Sequence, residues 1–113
     1  MIRFADKNVS DNNEPFIIAE AGINHDGDFA KALELVDIAH ESGASAVKFQ
    51  THITDKEMIP TDMKPGNISD ESLWDIIERC VLSKEQEKEI FDYSKDKGIM
   101  FFSTPFSREG ADR

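Results

Sequence analysis

Thiols are almost missing from this chain: of 113 residues one is a cysteine, Cys80. A single cysteine forms no internal disulfide and supplies too few thiolates for a cysteine-based zinc site. Cys80 follows Ile76 and Ile77 at helical spacing, so it reads as a small buried hydrophobe rather than a nucleophile. Long apolar runs are missing too. No stretch approaches the about 18 residues that a membrane-spanning helix needs. Met1 to Lys7 has neither the apolar core nor the small-residue cleavage site of a secretory signal, so the expected location is the cytoplasm. Positive charge is scarce: thirteen Lys and Arg face twenty-three Asp and Glu, for a net charge of −10. Such a field repels polyanions and argues against general nucleic-acid binding. A small anionic substrate would need a local cluster of basic side chains and backbone N–H groups to oppose it.

What is present fits one soluble globular domain or part of one, with 39% hydrophobic and 32% charged residues. A polar leader, residues 1–14, precedes a patterned region, 15–113. The apolar run Phe16 to Glu20 predicts a strand that ends on a carboxylate, and Gly22 to Gly27 makes the connection after it. Asp28 caps a helix whose apolar stripe is Phe29, Ala32, Leu33, Val36 and Ala39, with Gly43 as its terminator. Ser45 to Gln50 is a second strand, with Val47 and Phe49 on one face and Ala46, Lys48 and Gln50 on the other.

Thr51 to Asp70 contains Pro60, Pro65, Gly66 and Asn67 and is expected to be an irregular excursion without helix, of the long kind that is often functional. Leu73, Ile76, Ile77, Cys80 and Val81 mark a short amphipathic helix capped by Ser69 or Asp70. Ser83-Lys84-Glu85-Gln86 matches a capping box opening a helix that stops at Gly98. Ile99 to Phe102 is a third strand, ended by Pro105, and a further helix begins at Arg108. Repeated strand and helix predict an α/β fold with a parallel sheet. Three strands leave an edge and an apolar face uncovered, so the expectation is an incomplete TIM (β/α)8 barrel, roughly its first three βα units.

All three strands end in polar residues, and strand ends in such folds surround one pocket. Lys48, with the Thr104 hydroxyl and nearby N–H groups, can cradle a phosphate or carboxylate; its other role is a solvated or ion-paired lysine. Glu20 can orient a polyhydroxylated ligand or act as a general acid or base, and it can equally pair with Lys48. Gln50 binds a ligand or satisfies neighbouring backbone. Asn24 and His25 are candidates for organising the first turn. His25 has no companion at a metal-ligand spacing, His52 carries still less weight, and His40 reads as a last-turn residue favoured by the helix dipole.

Four blocks together resemble the N-acetylneuraminate (sialic acid) synthase family: Phe16-Ile17-Ile18-Ala19-Glu20-Ala21-Gly22-Ile23-Asn24-His25-Asp26-Gly27, Ala46-Val47-Lys48-Phe49-Gln50, Pro65-Gly66-Asn67, and Phe102-Ser103-Thr104-Pro105-Phe106-Ser107. The resemblance implies a TIM barrel followed by a small antifreeze-like domain, in a homodimer when full length; the later barrel strands and that second domain are absent from these residues. It also implies condensation of phosphoenolpyruvate with the open-chain aldehyde of N-acetylmannosamine, giving N-acetylneuraminate and phosphate. A divalent metal, Mn²⁺ or Mg²⁺, serves that reaction as Lewis acid, with ligands that lie beyond Arg113, so none is assigned here. Carried over by position, Lys48 and Thr104 would hold phosphoenolpyruvate, with Glu20 and Lys48 as the catalytic pair. Glu20, Gln50 and Asn67 would lie on or near the amino sugar, and Phe106 would line the sugar side. Residues 1–113 alone are expected to show little or no turnover. The competing readings are a synthase for a related nonulosonate such as legionaminic acid, a non-catalytic αβ module that binds a phosphorylated metabolite, and a mere folding fragment.

Overall fold

The computed structural model describes residues 1–113. Three strands run parallel in the order β3-β4-β5, formed by Ile18–Gly22 (β3), Ala46–Thr51 (β4) and Met100–Pro105 (β5). They are preceded by an antiparallel hairpin, Ile2–Phe4 (β1) with Lys7–Val9 (β2), turned at Ala5 with φ 53°. The hairpin lies within the leader. Nothing in its composition signals it, because the turn uses none of the Gly or Asn residues that usually take a positive φ. Phe4 ties it to the rest of the chain, its ring centroid 5.2 Å from those of both Phe16 and Phe102.

The helices are Phe29–Glu41 (α1), Thr54–Glu57 (α2), Leu73–Cys80 (α3), Lys84–Lys97 (α4) and Arg108–Ala111 (α5). Local chemistry sets most of their ends. Asp28 accepts from the Ala30 and Lys31 N–H groups at the start of α1. At α4 both halves of the Ser83–Gln86 capping box are formed, and Gly98 closes the helix at φ 83°. These side-chain bonds satisfy N–H groups that the first helical turn leaves free.

Three expectations need correction. β3 starts at Ile18 instead of Phe16, because the Ile17 N–H donates to Ser45 Oγ and Phe16 turns to Phe4 and Phe102. The excursion after β4 does contain a helical turn, α2, where the Glu57 carboxylate accepts from the Ile53 N–H in place of a capping side chain. α3 is capped by Ser72, which accepts from the Asp75 N–H, while Ser69 is occupied with the Glu71 N–H.

One face of the sheet is covered by α1 and α4. Ala32, Val36 and Ala39 of α1 meet Ala21, Val47 and Phe49 of the strands, and Leu82, Ile90 and Ile99 complete the core. Fully buried Val36, Val47 and Ile90 each contribute about 1.5–3 kcal/mol. Tyr93 of α4 donates to Asp37 of α1 at 2.7 Å and Lys97 reaches the same carboxylate, joining the helices outside the core. Cys80 is buried, as its spacing predicts, and desolvation pushes its thiol above the ordinary range. By strand alternation, the opposite face carries Glu20, Lys48, Gln50, Phe102 and Thr104.

Candidate functional site

The polar end of the sheet follows from register. Glu20 pairs with Lys48 across β3 and β4, Lys48 with Phe102, and Gln50 with Thr104 across β4 and β5. Period-2 alternation therefore brings Glu20, Lys48, Gln50 and Thr104 onto neighbouring positions of one face. Lys48 Nζ lies 2.9 Å from Glu20 Oε2, with both side chains partly exposed. The structural alternative for the two residues is thus realised, and it does not exclude the functional one: an ammonium has three donors, so Lys48 can hold Glu20 and still donate to an anion.

Beyond Glu20 the register shifts, so that Gly22 faces Phe49. A bulge of this kind re-aims the side chains around it. Gly22 has φ +54°, and a Cβ there would stand 3.4 Å from Glu20 Oε1 and 3.6 Å from Gln50 Nε2. The Glu20 carboxylate and the Gln50 amide therefore border the same small space.

The turn from β3 to α1 is built as a rigid support. His25 is fully buried, its Nδ1 accepts from the Gly27 N–H at 2.9 Å, and its ring stacks on Phe49 at 6.0 Å. Burial holds its pKa below the ordinary 6.5. This is the loop-organising role open to it in sequence. Asn24 donates its backbone N–H to the Ala21 carbonyl, and its side chain is left exposed. Gly27, at φ +79°, passes so close to α3 that a Cβ would lie 2.0 Å from the Arg79 carbonyl oxygen. Arg79 in turn pairs with Asp26 and Glu71.

Glu57 has no role in the sequence reading and His52 little weight, yet His52 stands between Gln50 and Phe106. The His52 and Glu57 side chains are both buried; His52 Nδ1 lies 2.7 Å from Glu57 Oε1 and Nε2 lies 2.8 Å from Gln50 Oε1. The Phe106 ring stacks on His52 at 4.4 Å, so Phe106 joins the group through the imidazole. The available signal was alternation: Lys48, Gln50 and His52 are spaced by two and continue one face past the strand end. Asn67 stands apart on an exposed part of the loop beside Ser69 and Asp70, and no hydrogen bond links it to the other candidates.

The residues present do not make a metal site. No three His, Cys, Asp or Glu side chains converge on one point. Both nitrogens of His52 are engaged, whereas His25 uses Nδ1 in its own loop and its buried Nε2 has no hydrogen-bond partner. No helix is long and apolar enough to cross a membrane.

Comparison with known proteins places this geometry in context. The NeuB family model matches residues 35–113. The chain is 37% identical over 112 residues to the spore coat polysaccharide biosynthesis protein SpsE of Bacillus subtilis, covering 97% of this chain and 30% of that protein. It is 39% identical over 102 residues to the N,N'-diacetyllegionaminic acid synthase of Campylobacter jejuni, covering 85% of this chain and 30% of the relative. In structure it resembles the N-acetylneuraminic acid (sialic acid) synthetase of Leptospira borgpetersenii, with a TM-score of 0.78, 30% identity, and coverage of 98% of this chain and 36% of that one. The chain thus spans about 30% of the length of the curated relatives it matches.

Proposed function

Because this chain belongs to the NeuB family, we propose that it supplies the first three βα units of a (β/α)8 barrel that condenses phosphoenolpyruvate with N-acetylmannosamine to N-acetylneuraminate and phosphate. The observation that carries the reading is the gathering of Glu20, Lys48, Gln50 and Thr104 at the carboxyl ends of three parallel strands, where barrel enzymes do chemistry. A cation in a chain of net charge −10 is the natural anchor for the anionic substrate, and Lys48 with the Thr104 hydroxyl supplies it. Glu20, Gln50 and Asn67 provide acceptors and donors for the hydroxyls and acetamido group of the sugar, and Phe106 gives an apolar wall. Asn67 would have to approach the pocket from its present place on the loop.

In the reaction C3 of phosphoenolpyruvate attacks the aldehyde carbon, whose oxygen takes up a proton. Water adds at C2, and the C2–O bond to phosphate breaks. Lys48 offsets charge on phosphoenolpyruvate throughout, while Glu20 orients the acceptor beside it. The metal implied by the resemblance, Mn²⁺ or Mg²⁺, takes its ligands from other residues of the complete enzyme, which works as a homodimer. A cytoplasmic location belongs to this reading, since phosphoenolpyruvate is a charged metabolite that does not cross membranes unaided.

A second acceptor is favoured by a specific observation, the 39% identity to a legionaminic acid synthase. Offering the complete chain phosphoenolpyruvate with N-acetylmannosamine or with a diacetamido hexose, and weighing the acid formed by mass spectrometry, separates the two. N-acetylneuraminate as the preferred product supports the first acceptor, and a diacetamido acid selects the second. Phosphoenolpyruvate binding without any acid formed supports a non-catalytic module instead.

A further inference from the structure

Gln50 has a long, freely rotating side chain whose two ends are chemically opposite, one accepting and one donating hydrogen bonds. Left free on a strand end it would present either end to a ligand and lose rotamer entropy on binding. It is not free. Its Oε1 lies 2.8 Å from His52 Nε2 and its NH₂ end borders the space at Gly22, an orientation in which both ring nitrogens carry N–H, Nδ1 donating to the Glu57 carboxylate and Nε2 to Gln50. His52 is itself held on its other nitrogen by Glu57 Oε1 at 2.7 Å, and Glu57 Oε2 accepts from the Ile53 N–H. The His52 and Glu57 side chains are buried and Gln50 is partly so, while Phe106, stacked on His52, is half exposed.

We infer that the buried Glu57–His52 pair is a positioning device for the amino-sugar side of the site, fixing the Gln50 amide with its NH₂ end toward the pocket and backing the Phe106 ring. The inference rests on the proposed assignment of Gln50 and Phe106 to the sugar. An NH₂ donor bordering the same small space as the Glu20 carboxylate offers a donor and an acceptor there, which suits an acceptor molecule carrying both a carbonyl oxygen and a hydroxyl, as a 2-acetamido sugar does. Neither His52 nor Glu57 needs to touch substrate for this. They act through the side chains they hold, and burial makes the hold firm because both carry polar atoms that have no water to turn to.

The test is made in the complete chain. His52→Phe keeps a ring against Phe106 and deletes both polar contacts; the double variant with Glu57→Leu also removes the buried carboxylate that would otherwise be stranded. The expected result in each is a rise in the sugar KM of about tenfold or more, with the phosphoenolpyruvate KM unchanged. Gln50→Ala should give a similar rise, and adding His52→Phe to it should cause no further one, because the two act as a unit. Glu57→Gln keeps the shape and the bond to Nδ1 and is the variant that folds if the others do not, with a smaller rise of about threefold. An unchanged sugar KM in the folded variants, or additive effects of His52→Phe and Gln50→Ala, overturns the inference. Absence of turnover in the unaltered chain counts against the proposed function instead. The inference is then judged by crystallography of His52→Phe or Glu57→Gln: Gln50 should leave its place beside Gly22, and an unmoved amide overturns it.

Discussion

Lys48 Nζ holds Glu20 Oε2 at 2.9 Å across two parallel strands, with the carboxylate half exposed and the lysine about a third. An ion pair so open to water contributes about 0–1 kcal/mol to stability. The pair therefore adds little as a structural brace, which is compatible with the anion-anchoring role proposed for Lys48.

Lys48→Met is accordingly expected to leave the unfolding midpoint close to that of the unaltered chain and to weaken phosphoenolpyruvate binding by about 10- to 100-fold, the loss of a charge-assisted hydrogen bond. Parallel urea melts and calorimetric titrations check it. A large loss of stability with unchanged affinity would assign Lys48 to the fold.

Gly27 and Gly43 both have positive φ, at +79° and +82°, but only Gly27 is crowded. Gly43→Ala should cost about 1 kcal/mol, the strain of the left-handed backbone alone. Gly27→Ala adds a Cβ 2.0 Å from the Arg79 carbonyl, so the turn must part from α3, at a cost of about 3 kcal/mol or more. Chemical denaturation of both variants measures the difference; equal costs would mean that the close approach does not exist in solution.

His25 gives the fold a pH dependence. Burial lowers its folded pKa below the 6.5 of the unfolded chain. Below about 6.5 the unfolded chain takes up a proton that the folded chain refuses, so stability falls as pH drops from there toward the folded value. Glu87, whose pKa burial raises, acts oppositely, since its contribution is lost as pH rises above 4.5. His25→Asn keeps an acceptor for the Gly27 N–H and does not titrate. Urea midpoints between pH 7.5 and 5.5 should therefore decline more in the natural chain than in this variant; equal slopes would rule out His25 as the cause.

The three parallel strands were legible because the sheet uses simple chemistry: an apolar run leading to Glu20, which the strand passes to end at Gly22, another closed by Pro105, and an alternating run in which Val47 and Phe49 face the helices while Lys48 and Gln50 do not. Caps at Asp28 and Ser83 were equally readable, since a short polar side chain before an apolar stripe has few other uses. The β1–β2 hairpin was hidden by its turn, which puts Ala5 at a φ that alanine seldom takes. The α2 turn was hidden by its length of four residues, too short to show a helical period. Asn67 was a candidate through family likeness alone, and its exposed loop gives it no partner among the other candidates. His52 was undervalued for a different reason. Spacing to metal ligands or nucleophiles does not reveal it, because this histidine is buried between Glu57 and Gln50, a relation that depends on the chain folding back over residues 52–57.

On the proposed function these strand ends form part of a condensation site for phosphoenolpyruvate and an amino sugar. Phosphate release by the complete chain, measured against acid formed, is the decisive assay. One phosphate per sugar acid is expected, with release abolished when either substrate is omitted. Phosphate released from phosphoenolpyruvate without any acceptor, or no release with every 2-acetamido sugar offered, would contradict it.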